Sequence, residues 1–274
     1  FPYTTLFRSV GDLSGKMWRV DYNKTNGLWE KAYGNQPLYT PSGTGAPITA
    51  APVITQTGGH LYVVAGTGQY FSLADISPSV QNYALGLFAD QGPITDADLL
   101  GQNFIDNGKE VDAIYSSNKT LTQKIYQVSQ NAIQSHHKGW RLSLLPGQAI
   151  VAQPAIRRNK VTTFTAVRTT PTGNVCSVNG STALIAVDLK NGGQYDLPAF
   201  DTNKDGRFDN RDKVGGMLEI GGVIAPVNTS RKSTLNGNIS VRNGLAGDIA
   251  TVDVPMNTFD DSPFIRRISW REIF

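Results

Sequence analysis

The sequence predicts an all-β fold built from repeated sheets, and three observations predict it. Charged residues make up 17% of the 274, against roughly 25% in an average soluble protein, while 28 Gly and 14 Pro supply many turns. Short runs rich in β-branched and aromatic residues alternate with polar turns containing Gly, Asn or Asp. One phrase also recurs: Ile48-Thr49-Ala50-Ala51-Pro52-Val53-Ile54 returns as Ile150-Val151-Ala152-Gln153-Pro154-Ala155-Ile156. A pattern that returns after a long interval points to radially repeated sheets, with a β-propeller as the natural candidate. A plain β-sandwich is the alternative that periodicity leaves open.

Taken in order, the chain opens with Phe1-Pro2-Tyr3-Thr4-Thr5-Leu6-Phe7-Arg8-Ser9, which joins abruptly to a strand signal at Val10. That opening resembles translated sequencing-adapter read-through. Residues 1–9 are therefore expected to be a non-native leader, and 10–274 the domain. Met17 to Tyr22 and Leu184 to Leu189 read as strands, each followed by an Asp-bearing polar turn with Gly. After each copy of the repeat a short turn, Gly58-Gly59 or Arg158-Asn159, leads into an apolar strand. Those strands are Leu61 to Ala65 and Val161 to Val167. Residues 94–139 read as a helical insertion. Thr95-Asp96-Ala97-Asp98-Leu99-Leu100 has the signature of a short capped helix, and Leu121, Ile125 and Val128 are spaced for one face of a second helix within 119–133. Residues 192–216 form a second irregular insertion.

Composition also excludes several classes of function. No apolar run approaches the eighteen or so residues needed to cross a bilayer as a helix. A net charge of +3, scattered along the chain, carries no nucleic-acid signature. Cys176 is the single cysteine, so an internal disulfide and a cysteine-rich zinc site are both ruled out within this sequence. No Gly-x-Ser-x-Gly elbow, His-Glu-x-x-His pair or phosphate-loop ending is present, and no catalytic constellation is expected.

The sharpest chemical signal is Asp201-Thr202-Asn203-Lys204-Asp205-Gly206-Arg207-Phe208-Asp209-Asn210-Arg211-Asp212. Oxygen side chains stand at positions 1, 3, 5, 9 and 12, with Gly at 6. That is the spacing by which a loop presents alternate residues to a hard cation needing six to eight oxygens. Carboxylates crowded this closely repel one another unless a cation is present. Asp201, Asn203, Asp205, the Arg207 carbonyl and Asp209 are the expected Ca2+ ligands, with Asp212 either a further ligand or a supporting group. Val214-Gly215-Gly216 follows directly, so the loop lacks the exiting helix of an EF-hand. The competing reading is an Asn/Asp-rich surface turn.

Weaker candidates have simpler readings. His136-His137 lacks a nearby third ligand and reads as a solvated pair. Gly66-Thr67-Gly68 and Gly43-Thr44-Gly45 read as turns at strand ends, and Asp260-Asp261 as a turn before Ser-Pro. Trp29, Trp140 and Trp270 are conceivable carbohydrate platforms, although packing between sheets is the commoner use of such residues.

Several segments together resemble the C-terminal domain of the PilC/PilY family of type IV pilus tip-associated proteins. They are Gly11-Asp12-Leu13-Ser14-Gly15-Lys16-Met17-Trp18-Arg19-Val20-Asp21, Pro47-Ile48-Thr49-Ala50-Ala51-Pro52 and Val63-Val64-Ala65-Gly66-Thr67-Gly68-Gln69-Tyr70. Gly139-Trp140-Arg141-Leu142, the run Cys176 to Asp188, and Ile268-Ser269-Trp270-Arg271-Glu272 complete the set, in family order from Val10 onward. The resemblance implies a modified β-propeller exported to the periplasm and cell surface, located at the pilus tip. Pilins and minor pilins would be its partners, and its roles would be pilus assembly, antagonism of retraction and, in some members, adhesion. It also implies a calcium site matching Asp201, Asn203, Asp205, Arg207 and Asp209. The family's variable N-terminal region, through which host-cell receptors would be bound, has no counterpart here, and the early blades are also expected to be missing. The expected fold is thus an incomplete propeller with a short helical insertion and an embedded calcium loop. A quinoprotein-like propeller enzyme and a lectin-like module are the alternatives.

Overall fold

The structure, a computed structural model, describes residues 7–43, 45–69, 75, 80–116, 119–171, 178–221, 237–242 and 251–256. It is nearly all strand, and no described helix is long and apolar enough to cross a membrane. The first sheet is centred on β2 (Met17–Asn23). Antiparallel β1 (Phe7–Gly11) lies on one side, and β3 (Leu28–Lys31) and β4 (Tyr39–Thr40) on the other. A later strand, β8 (Ile94–Thr95), returns to close this sheet in parallel with β4. The second sheet runs β5 (Val53–Thr57), β6 (His60–Gly66), β7 (Tyr83–Phe88), β12 (Gly139–Ser143), with β9 (Leu100–Gln102) parallel to β12 at its edge.

The third sheet is ordered β10 (Lys109–Ser116), β11 (Lys119–Tyr126), β17 (Met217–Gly221), β16 (Val178–Asp188), β15 (Val161–Pro171), β13 (Gln148–Ile150), with β14 (Ala155–Arg157) also paired to β15. β18 (Gly237–Arg242) and β19 (Thr251–Met256) form a separate hairpin. Among the described residues these sheets do not close into a ring.

Burial explains the layering. Met17, Leu38, Val63, Ala65, Leu85 and Leu87 form the seam between the first and second sheets. The other face of the second sheet, with Tyr62, Val64, Trp140 and Leu142, packs on Ala183, Ile185, Val187 and Met217 of the third. The far face of the third sheet buries Leu121, Ile125, Leu184, Leu218 and Ile220 against Phe200 and Met256. The middle sheet is therefore apolar on both faces, which is why β6 reads as a continuous run rather than an alternation.

The sequence repeat is a structural repeat. The Ile48 N–H donates to the Asp12 carbonyl (3.0 Å), and the Ile150 N–H donates to the Thr67 carbonyl (2.9 Å). Each isoleucine lies over the glycine just before that acceptor: a Cβ on Gly11 would come 2.2 Å from Ile48 Cγ2, and one on Gly66 would come 2.2 Å from Ile150 Cγ2. From each isoleucine the chain passes into the first strand of the next hairpin, β5 or β14.

Two expectations change. The helix expected within 119–133 is a strand, β11, hydrogen-bonded on both edges. Leu121, Gln123 and Ile125 are all buried, a period of two. The spacing of four between Leu121 and Ile125 suits either structure. The expected capped helix at 95–100 shrinks to one 3₁₀ turn, Asp96–Asp98, which retains the capping box: both the Thr95 N–H and its hydroxyl donate to Asp98 Oδ2 at 2.8 Å. Trp140 takes the commoner of its two readings, packing between sheets. It is fully buried, its Nε1 donates to the Leu189 carbonyl (2.8 Å), and Gly86 and Gly192 press on its ring. Phe7, Arg8 and Ser9, assigned to a leader from sequence, pair with Asp21, Val20 and Arg19 in the first sheet.

Candidate metal centre

The acidic loop lies in the connection between β16 and β17, two hydrogen-bonded neighbours, and its ends are fixed by different means. On the entering side Phe200, fully buried, packs beneath the third sheet and bridges to Met256. On the leaving side the Gly216 N–H donates to the Tyr126 carbonyl and its own carbonyl accepts from Ala186. A Cβ on Gly215 would meet Ile125 Cγ1 at 2.5 Å, so the chain passes too close to β11 for any side chain there.

The neck is closed by Thr202 and Asp212. Asp212 Oδ1 accepts from the Thr202 N–H (2.7 Å) and hydroxyl (3.2 Å), its Oδ2 accepts from the Asp209 N–H (3.1 Å), and Thr202 Oγ1 accepts from the Lys213 N–H (2.8 Å). Both oxygens of Asp212 are thus engaged inside the fold. Its place is the neck of the loop.

Between these points the loop coils through successive side-chain-to-backbone turns. Asn203 Oδ1 accepts from the Asp205 N–H, Asp205 Oδ1 from the Arg207 N–H, and Asp201 Oδ2 from the Gly206 N–H at 2.9 Å. Gly206 sits at φ +77, where a side chain is disfavoured, and Lys204 at φ +59. The glycine at position 6 therefore does what the spacing requires of it.

Asp201 is 6% exposed, and its Oδ1 has no hydrogen-bond partner. Asp205 and Asp209 lie toward the surface and are joined by Arg211. Its Nη2 is 2.6 Å from Asp209 Oδ2 and 2.8 Å from Asp205 Oδ2, and its Nε donates to Asp209 as well. This guanidinium holds the Asp209 carboxyl down at about 2. Among the described residues no three His, Cys, Asp or Glu side chains gather as a metal-binding group. The donor set still suits a hard cation, since every candidate ligand atom is oxygen and one buried carboxylate oxygen has no protein partner.

Sequence reasoning missed Arg211, although its place two residues after Asp209 was readable, and it missed the Thr202–Asp212 neck, whose members are ten residues apart. A hollow of about 320 Å³ adjoins the loop, lined by Glu110, Val111, Thr202, Asn203, Arg211 and Lys213. The remaining candidates stay as simple as their sequence suggests. The His136 and His137 rings lie 4.0 Å apart on the surface, and His137 Nδ1 accepts from the Gln134 N–H. Trp29 is 41% exposed, with the Arg8 guanidinium 4.5 Å from its ring centre. Cys176, Asp260, Asp261 and Trp270 lie outside the described residues.

No family model matches the sequence, and no curated protein matches it. Among solved structures the chain is similar to the crystal structure of the Pseudomonas aeruginosa PilY1 C-terminal domain, with a TM-score of 0.67 and 20% sequence identity. The match covers 93% of this chain and 57% of that one, so the chain spans little more than half the length of the solved domain. At that identity the likeness is one of fold.

Proposed function

We propose that the chain is a calcium-binding, non-catalytic β-propeller module of a type IV pilus tip-associated protein. The observation that carries this reading is the fold likeness over 93% of the chain to a domain bearing the name of the family whose motifs the sequence presents in order. The module acts in pilus assembly and in the balance of extension against retraction, and so in twitching motility and adhesion. Its partners are pilin and minor pilin components, and its location is the periplasm and the cell surface at the pilus tip.

Asp201, Asn203, Asp205, the Arg207 carbonyl and Asp209 hold the ion. The buried, unpartnered Asp201 Oδ1 supports this assignment best. A bound calcium ion supplies the divalent charge that lets these carboxylates approach one another. Asp205 and Asp209 then turn inward from the surface, while Asp212 and Thr202 keep the neck closed. Because the loop joins β16 to β17, ordering it tightens the central strand pair of the third sheet, and binding adds RT ln(1 + [Ca]/Kd) to the stability of the folded state.

Thermal melting of the purified chain in EDTA and in millimolar calcium tests the site. The melting temperature is expected to rise with calcium in the wild type and not in Asp205→Ala. In cells, the same substitution placed in the full-length gene is expected to alter surface pilus number and twitching. Unchanged pili and motility in a variant that has lost calcium binding would remove the regulatory part of the proposal.

A further inference from the structure

The geometry points to Arg211 as a resident counter-ion of the acidic loop, a group that calcium must displace and that therefore sets the concentration at which the loop loads. The inference rests on the calcium reading and adds a residue outside the ligand spacing. Arg211 Nη2 lies 2.8 Å from Asp205 Oδ2 and 2.6 Å from Asp209 Oδ2, so one guanidinium bridges two expected ligands. Its Nε adds bonds to both Asp209 oxygens at 3.1 and 3.2 Å, and the Arg211 N–H donates to Asp209 Oδ1 at 2.9 Å.

A planar, permanently charged fork suits this role, because it satisfies two carboxylates at once without titrating. The bridge neutralises only the outer part of the loop: Asp201 Oδ1, buried at the inner end, is not reached by it. Two sets of oxygens are thus in different states, an outer pair covered by Arg211 and an inner one left for an ion. Loading the loop requires the outer pair to exchange a guanidinium for the ion. The Arg211 side chain is 55% exposed and lines the hollow that opens toward Glu110, so space exists for it to swing aside.

Calcium titration by calorimetry on wild type, Arg211→Gln, Arg211→Lys and Lys213→Gln tests the inference. Solvent-exposed ion pairs of this kind are weak, so Arg211→Gln is expected to bind calcium only about 3- to 10-fold more tightly than wild type. Arg211→Lys, which keeps the charge and loses the fork, should fall between them. Lys213→Gln removes the same unit charge without touching Asp205 or Asp209 and should gain less. Arg211→Gln should also melt lower than wild type in EDTA and show the larger calcium-induced rise. If wild type binds calcium and Arg211→Gln binds with equal or weaker affinity, the counter-ion role is wrong while the calcium site stands. Binding by Arg211→Gln alone supports the counter-ion role and removes calcium from the wild-type protein. No binding by any variant overturns both.

Discussion

Asp201 carries a cost that its neighbours in the loop do not. Asn203, Asp205 and Asp209 face solvent at least in part, whereas Asp201 is buried with one oxygen unpartnered. Burying an uncompensated carboxylate oxygen opposes folding, commonly by about 1–3 kcal/mol when no partner is supplied. Asp201→Asn keeps the shape, lets one atom still accept from the Gly206 N–H, and removes the charge. It is therefore expected to melt at the wild-type temperature or above in EDTA, and to lack the calcium-induced rise expected of the wild type. A large drop in EDTA would mean that the carboxylate is needed for the metal-free fold and is not held for a ligand. The loop's run of oxygen side chains was readable because its members are close in sequence. Arg211, which bridges Asp205 and Asp209, was less so, since an Arg after an Asp has many ordinary meanings.

At the level of elements, the 3₁₀ turn after β8 shows how one short piece ties sheets together. Asp96 accepts from the Tyr39 hydroxyl at 2.6 Å and from the Ser42 N–H at 3.0 Å, and it lies 3.1 Å from the Arg141 guanidinium of β12. Burial pushes its carboxyl up. The Tyr39 and Ser42 hydrogen bonds and the charge of Arg141 outweigh that and bring it below the ordinary value. A carboxyl whose pKa is depressed on folding stabilises the fold above the unfolded value of about 3.9 and loses that contribution as pH falls through the folded one. The wild type is accordingly expected to lose melting temperature more steeply from pH 5 to pH 3 than Asp96→Asn, with the two curves converging in acid. Parallel curves would exclude the Asp96 contacts as the cause. β11 illustrates what local reading cannot reach. One of its two partners, β17, is remote in sequence: the Tyr126 hydroxyl that donates to Glu219 joins residues 93 apart. No pattern within 119–133 announces that partner.

Over the whole molecule, the sheets are joined by interlocking returns: β8 closes the first sheet after β7 of the second has been made, and β12 closes the second after β10 and β11 of the third. The all-β class and the repeat were legible because turn residues and the seven-residue phrase are local. Which strand closes which sheet was not. The two equivalent joints invite a direct comparison. Gly66→Ala is expected to cost about 1–3 kcal/mol by overpacking against Ile150. In Gly66→Ala/Ile150→Gly the clashing atoms of the isoleucine, Cγ2 and Cβ foremost, are gone, so the double variant should be more stable than the sum of the single changes. The same cycle at Gly11 and Ile48 should give a coupling of the same sign, read from urea unfolding. Additivity at both joints would show that the two contacts are incidental.

The joint itself acts as a counting mark. Each appearance of the phrase from Ile48 to Ile54, with a glycine placed upstream to receive its first isoleucine, records one passage of the chain into a new hairpin. In a distant relative whose strands are too divergent to align, the number of such pairs would give the number of passages, and the spacing between them the length of chain spent on each sheet.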